Sequence, residues 1–119
     1  MQDFRNLKVW ENAHALTLEI YKARATFPRQ EQYGLTSQVQ RAAVSIPANI
    51  AEGCAKATDA DFARYLQISM GSSSELEYLL LLAHDLSYLT DESHAALNAS
   101  LIQVRKMLNS FLQTLRGKR

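Results

Sequence analysis

A row of polar side chains runs along one side of a predicted helix in residues 35–54. Its members recur every three or four residues, a spacing that places side chains on one helical stripe. They are Gln38, Arg41, Ser45, Asn49 and Glu52. Because buried polar groups need partners, the pattern favours a hydrogen-bonded network, within the chain or at an oligomer interface, over a row that binds a ligand.

Six basic residues lie off the predicted apolar seams and are candidates for contacts with nucleic-acid phosphates. They are Arg24, Arg29, Arg41, Lys56, Arg105 and Lys106. The whole chain has 13 basic and 12 acidic residues, whereas dedicated nucleic-acid binders are usually more basic. We therefore expect weak binding by one chain, strengthened where an oligomer repeats the same contacts.

The charges are unevenly distributed along the second half of the chain. Residues 58–90 contain one basic and five acidic residues, and residues 91–119 contain five basic and two acidic residues. This asymmetry predicts either attraction between two adjacent antiparallel helices or a basic end that meets phosphate. Charge alone does not decide between these alternatives.

Residue patterns typical of enzymes and metal sites are missing from the sequence. It has no pair of Glu-x-x-His motifs on facing helices, no His-Glu-x-x-His motif and no cysteine pair. His84 and Asp85 are neighbours, but adjacent residues on a helix point in different directions. We therefore predict a protein that is not an enzyme, with no catalytic residue, no metal ion and no cofactor.

The hydrophobic periodicity predicts four helices and no strand. The helices span residues of about 6–26, 35–54, 58–89 and 91–117. Because short loops join them, the predicted fold is all-α, a single domain of residues 1–119 that forms an up-down-up-down antiparallel four-helix bundle. We expect Lys118 and Arg119 to form a frayed tail.

Particular residues are expected to shape these helices. Pro47 removes a backbone donor and crowds the carbonyl group of Ala43, which predicts a kink in helix two. Gly53 suits a left-handed cap at the end of that helix, and Thr58 suits the N-cap of helix three. The small residues GSSS at 71–74 predict a close approach between two helices.

Helices two and three each carry apolar residues on more than one side. The side of helix two that would face solvent holds small or apolar residues, including Val44 and Ala48. Four consecutive leucines, residues 79–82, surround helix three. A helix without a clear polar face is usually enclosed on several sides, so we expect each to contact its own bundle and another chain.

The sequence also indicates a cytoplasmic location. Its N-terminus mixes charges of both signs and has no apolar segment of the kind found in signal peptides. The longest run of large apolar residues, 79–82, is too short to span a membrane. Cys54 is the only cysteine, which suits a reducing compartment, and we expect it to be a small buried residue.

Three segments resemble a known family. RAAVSIPANIAEG at 41–53, preceded by FPRQEQYGLTSQ at 27–38, and FARYLQISMGSSSELE at 62–77 are similar to motifs of the four-helix-bundle family of 23S rRNA intervening-sequence proteins. The resemblance extends from about residue 4 to 115, and Arg41 lies within the first motif. It implies a small cytosolic bacterial protein that is not an enzyme and forms a ring-shaped homopentamer. The family includes the accessory variability determinant of diversity-generating retroelements, a branch that binds nucleic acid and a reverse transcriptase.

Two functions remain open at this stage. The first is a homo-oligomeric bundle that binds RNA or DNA weakly and recruits a partner protein. The second is a purely structural or protein-interaction oligomer without a nucleic-acid ligand, in which the polar row fixes the register between subunits.

Overall fold

The computed structural model describes residues 3–117, which form four helices. They are α1 (Lys8–Ala23), α2 (Leu35–Cys54), α3 (Asp59–Asp85) and α4 (Asp91–Gly117). Each helix packs on the next one in the chain, and α1 also packs on α4. No strand occurs among residues 3–117, so the predicted all-α four-helix bundle is confirmed. The predicted tail, Lys118 and Arg119, lies outside the described residues.

All four helices contribute one apolar row to a common core. Leu16 of α1, Ile46 and Ile50 of α2, Leu66 of α3 and Leu101 of α4 are each at most 2% exposed. Burying a leucine or isoleucine side chain contributes about 1.5–3 kcal/mol, so this core supplies the main stabilising term. No helix in residues 3–117 combines the length and the hydropathy needed to cross a membrane.

The first helix is shorter than the sequence predicts. It spans Lys8–Ala23, with single 3₁₀ turns at Phe4–Asn6 and Arg24–Thr26 in place of its two outer ends. Leu7 is extended, with φ −90° and ψ 124°, and this interrupts the helix at its start. At the other end Phe27 is extended with φ −82° and ψ 142°, because the residue before a proline avoids helical geometry.

The second helix has the predicted bounds and continues through Pro47. The expected left-handed cap at Gly53 is wrong, since no glycine among the described residues has a positive φ. A Cβ atom on Gly53 would lie 2.8 Å from Cδ1 of Phe62 and 3.0 Å from Cβ of Tyr65. Glycine is therefore present there because it lets α3 approach α2 closely.

The third helix ends four residues earlier than predicted, at Asp85 instead of Leu89. Ser87 has a left-handed backbone with φ 67°, which no regular helix can include. The amide of Ser87 donates to the carbonyl of His84, and the amide of Tyr88 donates to that of Ala83, both at 2.9 Å. This is the bonding of a Schellman motif, in which glycine usually takes the left-handed position.

Both remaining helix starts are capped by threonines. The backbone amide of Asp61 donates to Oγ1 of Thr58 at 3.1 Å, as predicted for the N-cap of α3. At the start of α4 the amide of Ser93 donates to Oγ1 of Thr90 at 3.0 Å.

Candidate functional site

The polar row on α2 divides into two parts. Ser45 and Asn49 are half-buried, and Nδ2 of Asn49 donates to the carbonyl oxygen of Ser45 at 2.8 Å. The hydroxyl of Ser45 lies 2.7 Å from the hydroxyl of Ser72 on α3. The centre of the row therefore joins two helices of one chain.

The other three members, Gln38, Arg41 and Glu52, are exposed. Within residues 3–117 none of their side chains forms a hydrogen bond or an ion pair. The guanidinium of Arg41 and the carboxylate of Glu52 thus remain available on the surface of this chain.

The small-residue segment of α3 contributes to the same contact, though not through its glycine. Ser73 of this segment and Ser69, one turn before it, are completely buried, and the hydroxyl of Ser69 donates to the carbonyl of Ile46 at 2.8 Å. Gly71 faces solvent, with no atom within 4 Å of the position a Cβ would occupy. The predicted close approach of two helices is therefore made by serines, and the expectation for Gly71 is wrong.

The six candidate phosphate contacts are distributed over several surfaces. Arg24 and Arg29 line one recess between the end of α1 and the start of α2. Arg41 stands alone on the outer side of α2. Lys56, between α2 and α3, has its ammonium group 5.0 Å from the ring centre of Tyr65.

The two candidates on α4 have different surroundings. The guanidinium of Arg105 is hydrogen-bonded to the carboxylate of Glu77 on α3. This ion pair is an attraction between α3 and α4 of the kind that their opposite charges suggest. Lys106 is exposed and shares a groove with Lys8 of α1. The structure therefore brings Arg24 together with Arg29, neutralises Arg105 and leaves the others apart.

The recess that contains Arg24 and Arg29 is lined by basic, polar and aromatic residues. Its volume is about 610 Å³, and no acidic residue lines it. Tyr33, at its rim, is 91% exposed, the highest value among the large apolar and aromatic residues. Sequence reasoning selected the arginines by charge and missed Tyr33, although an aromatic residue within a polar loop was a usable signal.

The loop that forms this recess is attached to the end of α3. The carboxylate of Glu31 accepts hydrogen bonds from the hydroxyl of Tyr88 at 3.0 Å and from the amide of Leu35 at 3.2 Å. The hydrogen bond to this carboxylate raises the pKa of the Tyr88 hydroxyl. Glu31 itself does not line the recess, and its two carboxylate oxygens are hydrogen-bonded to Tyr88 and to the amide of Leu35.

Comparison with known proteins assigns the chain to a family. The family model described as 23S rRNA-intervening sequence protein matches residues 5–110. The chain belongs to this family. It is also similar to the crystal structure of a protein of unknown function from the S23 ribosomal protein family of Bacteroides thetaiotaomicron. The TM-score is 0.82 and the identity 26%, over 88% of this chain and 95% of that one. No curated protein matches the sequence.

In this member of the family the two motif segments on α2 and α3 face each other. Ser45 and Gly53 belong to residues 41–53, and their neighbours Ser72 and Phe62 belong to residues 62–77. The motifs that carry the family resemblance therefore contribute to a helix–helix contact.

The outer side of α2 is apolar and exposed. Val44 is 40% exposed, and Ala48 and Ala55 are also exposed. Ile68 of α3, 44% exposed, precedes Ser72 by one turn and so lies on the side of α3 that borders α2. We call Val44, Ala48, Ala55 and Ile68 the α2–α3 apolar face.

A histidine cluster joins α3 to α4, and within it His84 contacts its neighbour Asp85, so the expectation that these adjacent side chains point apart is wrong. Nε2 of His84 lies 2.6 Å from a carboxylate oxygen of Asp91, and Nδ1 lies 3.3 Å from one of Asp85. The ring of His94 stacks on His84 at 4.7 Å between centres. Hydrogen bonds to Asp91 and Asp85 raise the pKa of His84. The described residues contain no group of three or more His, Cys, Asp or Glu arranged to hold a metal ion.

Proposed function

We propose that this chain is a non-enzymatic, cytoplasmic, single-domain protein that self-associates through the α2–α3 apolar face and binds RNA or DNA weakly. In this proposal its role is that of an adaptor, which holds nucleic acid beside a partner protein. The family resemblance implies a ring-shaped homopentamer as the assembled form.

The exposure of the α2–α3 apolar face is the observation that supports this proposal. An exposed apolar surface bordered by polar groups is typical of an interaction site. The bordering groups are available in Arg41 and Glu52, on the same helix, which lack partners within residues 3–117. A second chain could bury the apolar residues and pair these two charges across the interface.

Self-association also explains how a nearly neutral chain would bind nucleic acid. The free energy of a few phosphate contacts per subunit is small, but a ring repeats those contacts on one polynucleotide. The candidate cations remain Arg24, Arg29, Arg41, Lys56, Arg105 and Lys106. Arg105 would contribute least because it is paired with Glu77, and Arg41 would contribute less where it pairs across the subunit interface.

A structural oligomer without a nucleic-acid ligand is the second candidate function. Three basic residues of the helices already have acidic partners. The pairs are Arg105 with Glu77, Arg64 with Asp61 at 3.8 Å and Lys22 with Glu19 at 3.6 Å. A cation that is already paired contributes less to phosphate binding, and this favours an oligomer without a nucleic-acid ligand.

Two measurements test these functions, and the first concerns self-association, which both functions require. The oligomeric state would be measured by light scattering after size-exclusion chromatography, for the natural chain, for Ala48→Glu and for Ala96→Glu, a matched change on the exposed side of α4. We expect Ala48→Glu alone to dissociate the oligomer. A monomeric natural chain at high micromolar concentration would overturn the proposal.

Nucleic-acid binding is then measured by fluorescence anisotropy with a labelled RNA and a labelled DNA duplex across a salt series. Micromolar affinity that decreases steeply with salt supports phosphate contacts by the assembled surface. An oligomer that binds neither probe at low salt identifies the structural function instead.

A further inference from the structure

The recess between α1 and α2 has features that the overall charge of the chain does not predict. Two of its wall residues, Thr36 and Gln40, each have a buried polar atom, Oγ1 and Nε2, with no hydrogen-bond partner within residues 3–117. Buried polar groups are nearly always paired, so an unpaired one calls for an explanation. Both atoms are buried, so a polar ligand in the recess would pair with them only after the side chains rotate toward it.

The charges around the recess select an anionic ligand. Arg24 and Arg29 both line it, and the nearby carboxylate of Glu31 is engaged by Tyr88 and Leu35. The guanidinium of Arg24 also lies 5.4 Å from the ring centre of Tyr21, a contact that holds it in place. Two arginines without an opposing acid in the wall are suited to phosphate oxygens.

Tyr33 adds a planar surface beside these cations. A tyrosine ring that is 91% exposed gains nothing from the core of its own bundle. Every base has a π-face, so an exposed ring next to arginines is the arrangement that proteins use to bind single-stranded nucleic acid. An acidic peptide would use the arginines but would have no need of the ring.

We propose that this recess binds a nucleotide unit of single-stranded nucleic acid, with its base stacked on Tyr33 and its phosphates on Arg24 and Arg29. Thr36 and Gln40 then contact the polar atoms of the bound sugar or base. This inference rests on the proposed nucleic-acid function and names its site. It also explains why the loop is fixed by Glu31, since a rigid loop loses less entropy when the ligand binds.

The test measures binding of labelled twelve-nucleotide oligo(U) and oligo(dT) to the full chain by fluorescence anisotropy, with a DNA duplex as comparison. We expect Tyr33→Ala to raise the dissociation constant for single strands by about fivefold to a hundredfold, the range of one base–aromatic stack. Tyr78→Ala is the matched control, because Tyr78 is 60% exposed on α3 and outside the recess.

Charge and hydroxyl variants complete the design. Arg29→Glu is expected to weaken single-strand binding about tenfold or more and to reduce its salt dependence, whereas Arg116→Glu at the end of α4 leaves both unchanged. Thr36→Val removes a buried unpaired hydroxyl, so it should stabilise the fold and yet weaken binding. A purely structural role of Thr36 would not separate these two readouts.

The outcomes distinguish this inference from the wider proposal. If the natural chain binds single strands and Tyr33→Ala binds equally well, the recess is not the site, although nucleic-acid binding stands. The recess is also excluded as a nucleotide site if polyglutamate displaces the oligonucleotides and Tyr33→Ala has no effect on binding. A Tyr33→Ala chain with an altered oligomeric state would assign Tyr33 to the subunit interface and would exclude the recess as well. If the natural chain binds no nucleic acid, both proposals fail.

Discussion

The hydroxyl of Thr17 on α1 lies 3.2 Å from the carbonyl oxygen of Ala43 on α2. That carbonyl is four residues before Pro47, which has no backbone N–H with which to complete the helical hydrogen bond. The same hydroxyl lies 2.9 Å from the carbonyl of Ala13, so its proton is shared between the two helices. A side chain of α1 thus replaces the donor that proline removes from α2.

Thr17→Val is expected to lower the free energy of unfolding by about 1–2 kcal/mol, because it leaves the buried carbonyl of Ala43 without a donor. In a Pro47→Ala background the loss should be smaller, since the substituted alanine would supply a backbone N–H. Urea unfolding of the two single variants and the double variant measures this coupling. Equal losses in both backgrounds would show that Thr17 does not act on the carbonyl released by proline.

Gly53→Ala is expected to destabilise the protein by about 1–3 kcal/mol, although alanine favours a helix. Its Cβ would meet Phe62 and the Cβ of Tyr65, which cannot move without shifting α3. Gly71→Ala is the matched control, because its Cβ would enter open space and it should stabilise α3 by up to about 1 kcal/mol. Thermal unfolding followed by circular dichroism compares the two, and a stabilised Gly53→Ala would contradict the close approach.

Ser87→Gly is expected to increase the free energy of unfolding by about 1 kcal/mol. Ser87 has a positive φ of 67° at the end of α3, and glycine adopts this conformation without the steric cost of a Cβ atom. Urea unfolding measures the change, with Ser93→Gly in the first turn of α4 as a control that should be destabilising. A loss of stability in Ser87→Gly would mean that the serine side chain is needed in this turn.

The stability of the α3–α4 connection is expected to depend on pH through His84. Its pKa is raised above the ordinary 6.5 by hydrogen bonds to Asp91 and Asp85, so the charged form is favoured in the folded protein. The stabilisation is therefore complete below 6.5 and is lost as pH rises through the raised pKa. The ring of His94 also stacks on that of His84.

Thermal unfolding at several pH values checks this dependence. The melting temperature of the natural chain should exceed that of His84→Gln most at acidic pH, and the difference should shrink as the solution becomes alkaline. Asp91→Asn should reduce the difference at acidic pH, because it removes the closer carboxylate. A difference that is constant with pH would exclude the charge of His84 as its cause.

The fold was largely readable from the sequence, whereas the candidate site was readable only in part. Apolar periodicity identified all four helices, and Thr58 marked the start of α3, because these signals act within a few residues. The predicted ends of α1 and α3 were wrong, because Leu7 is extended and Ser87 is left-handed, and neither residue type signals that conformation in the sequence. Arg24 and Arg29 were selected by charge, but no sequence spacing places them in one recess with Tyr33.

The sequence by itself determined the helices, the apolar rows that form the core and the family motifs. Each of these depends on residue type and on the fixed geometry of the α-helix. Only the tertiary structure decided which polar groups meet. It paired Arg105 with Glu77, His84 with Asp91 and Thr17 with the carbonyl of Ala43. These contacts join residues on different helices, and their distances follow from the packing of α1 to α4, which local periodicity does not specify.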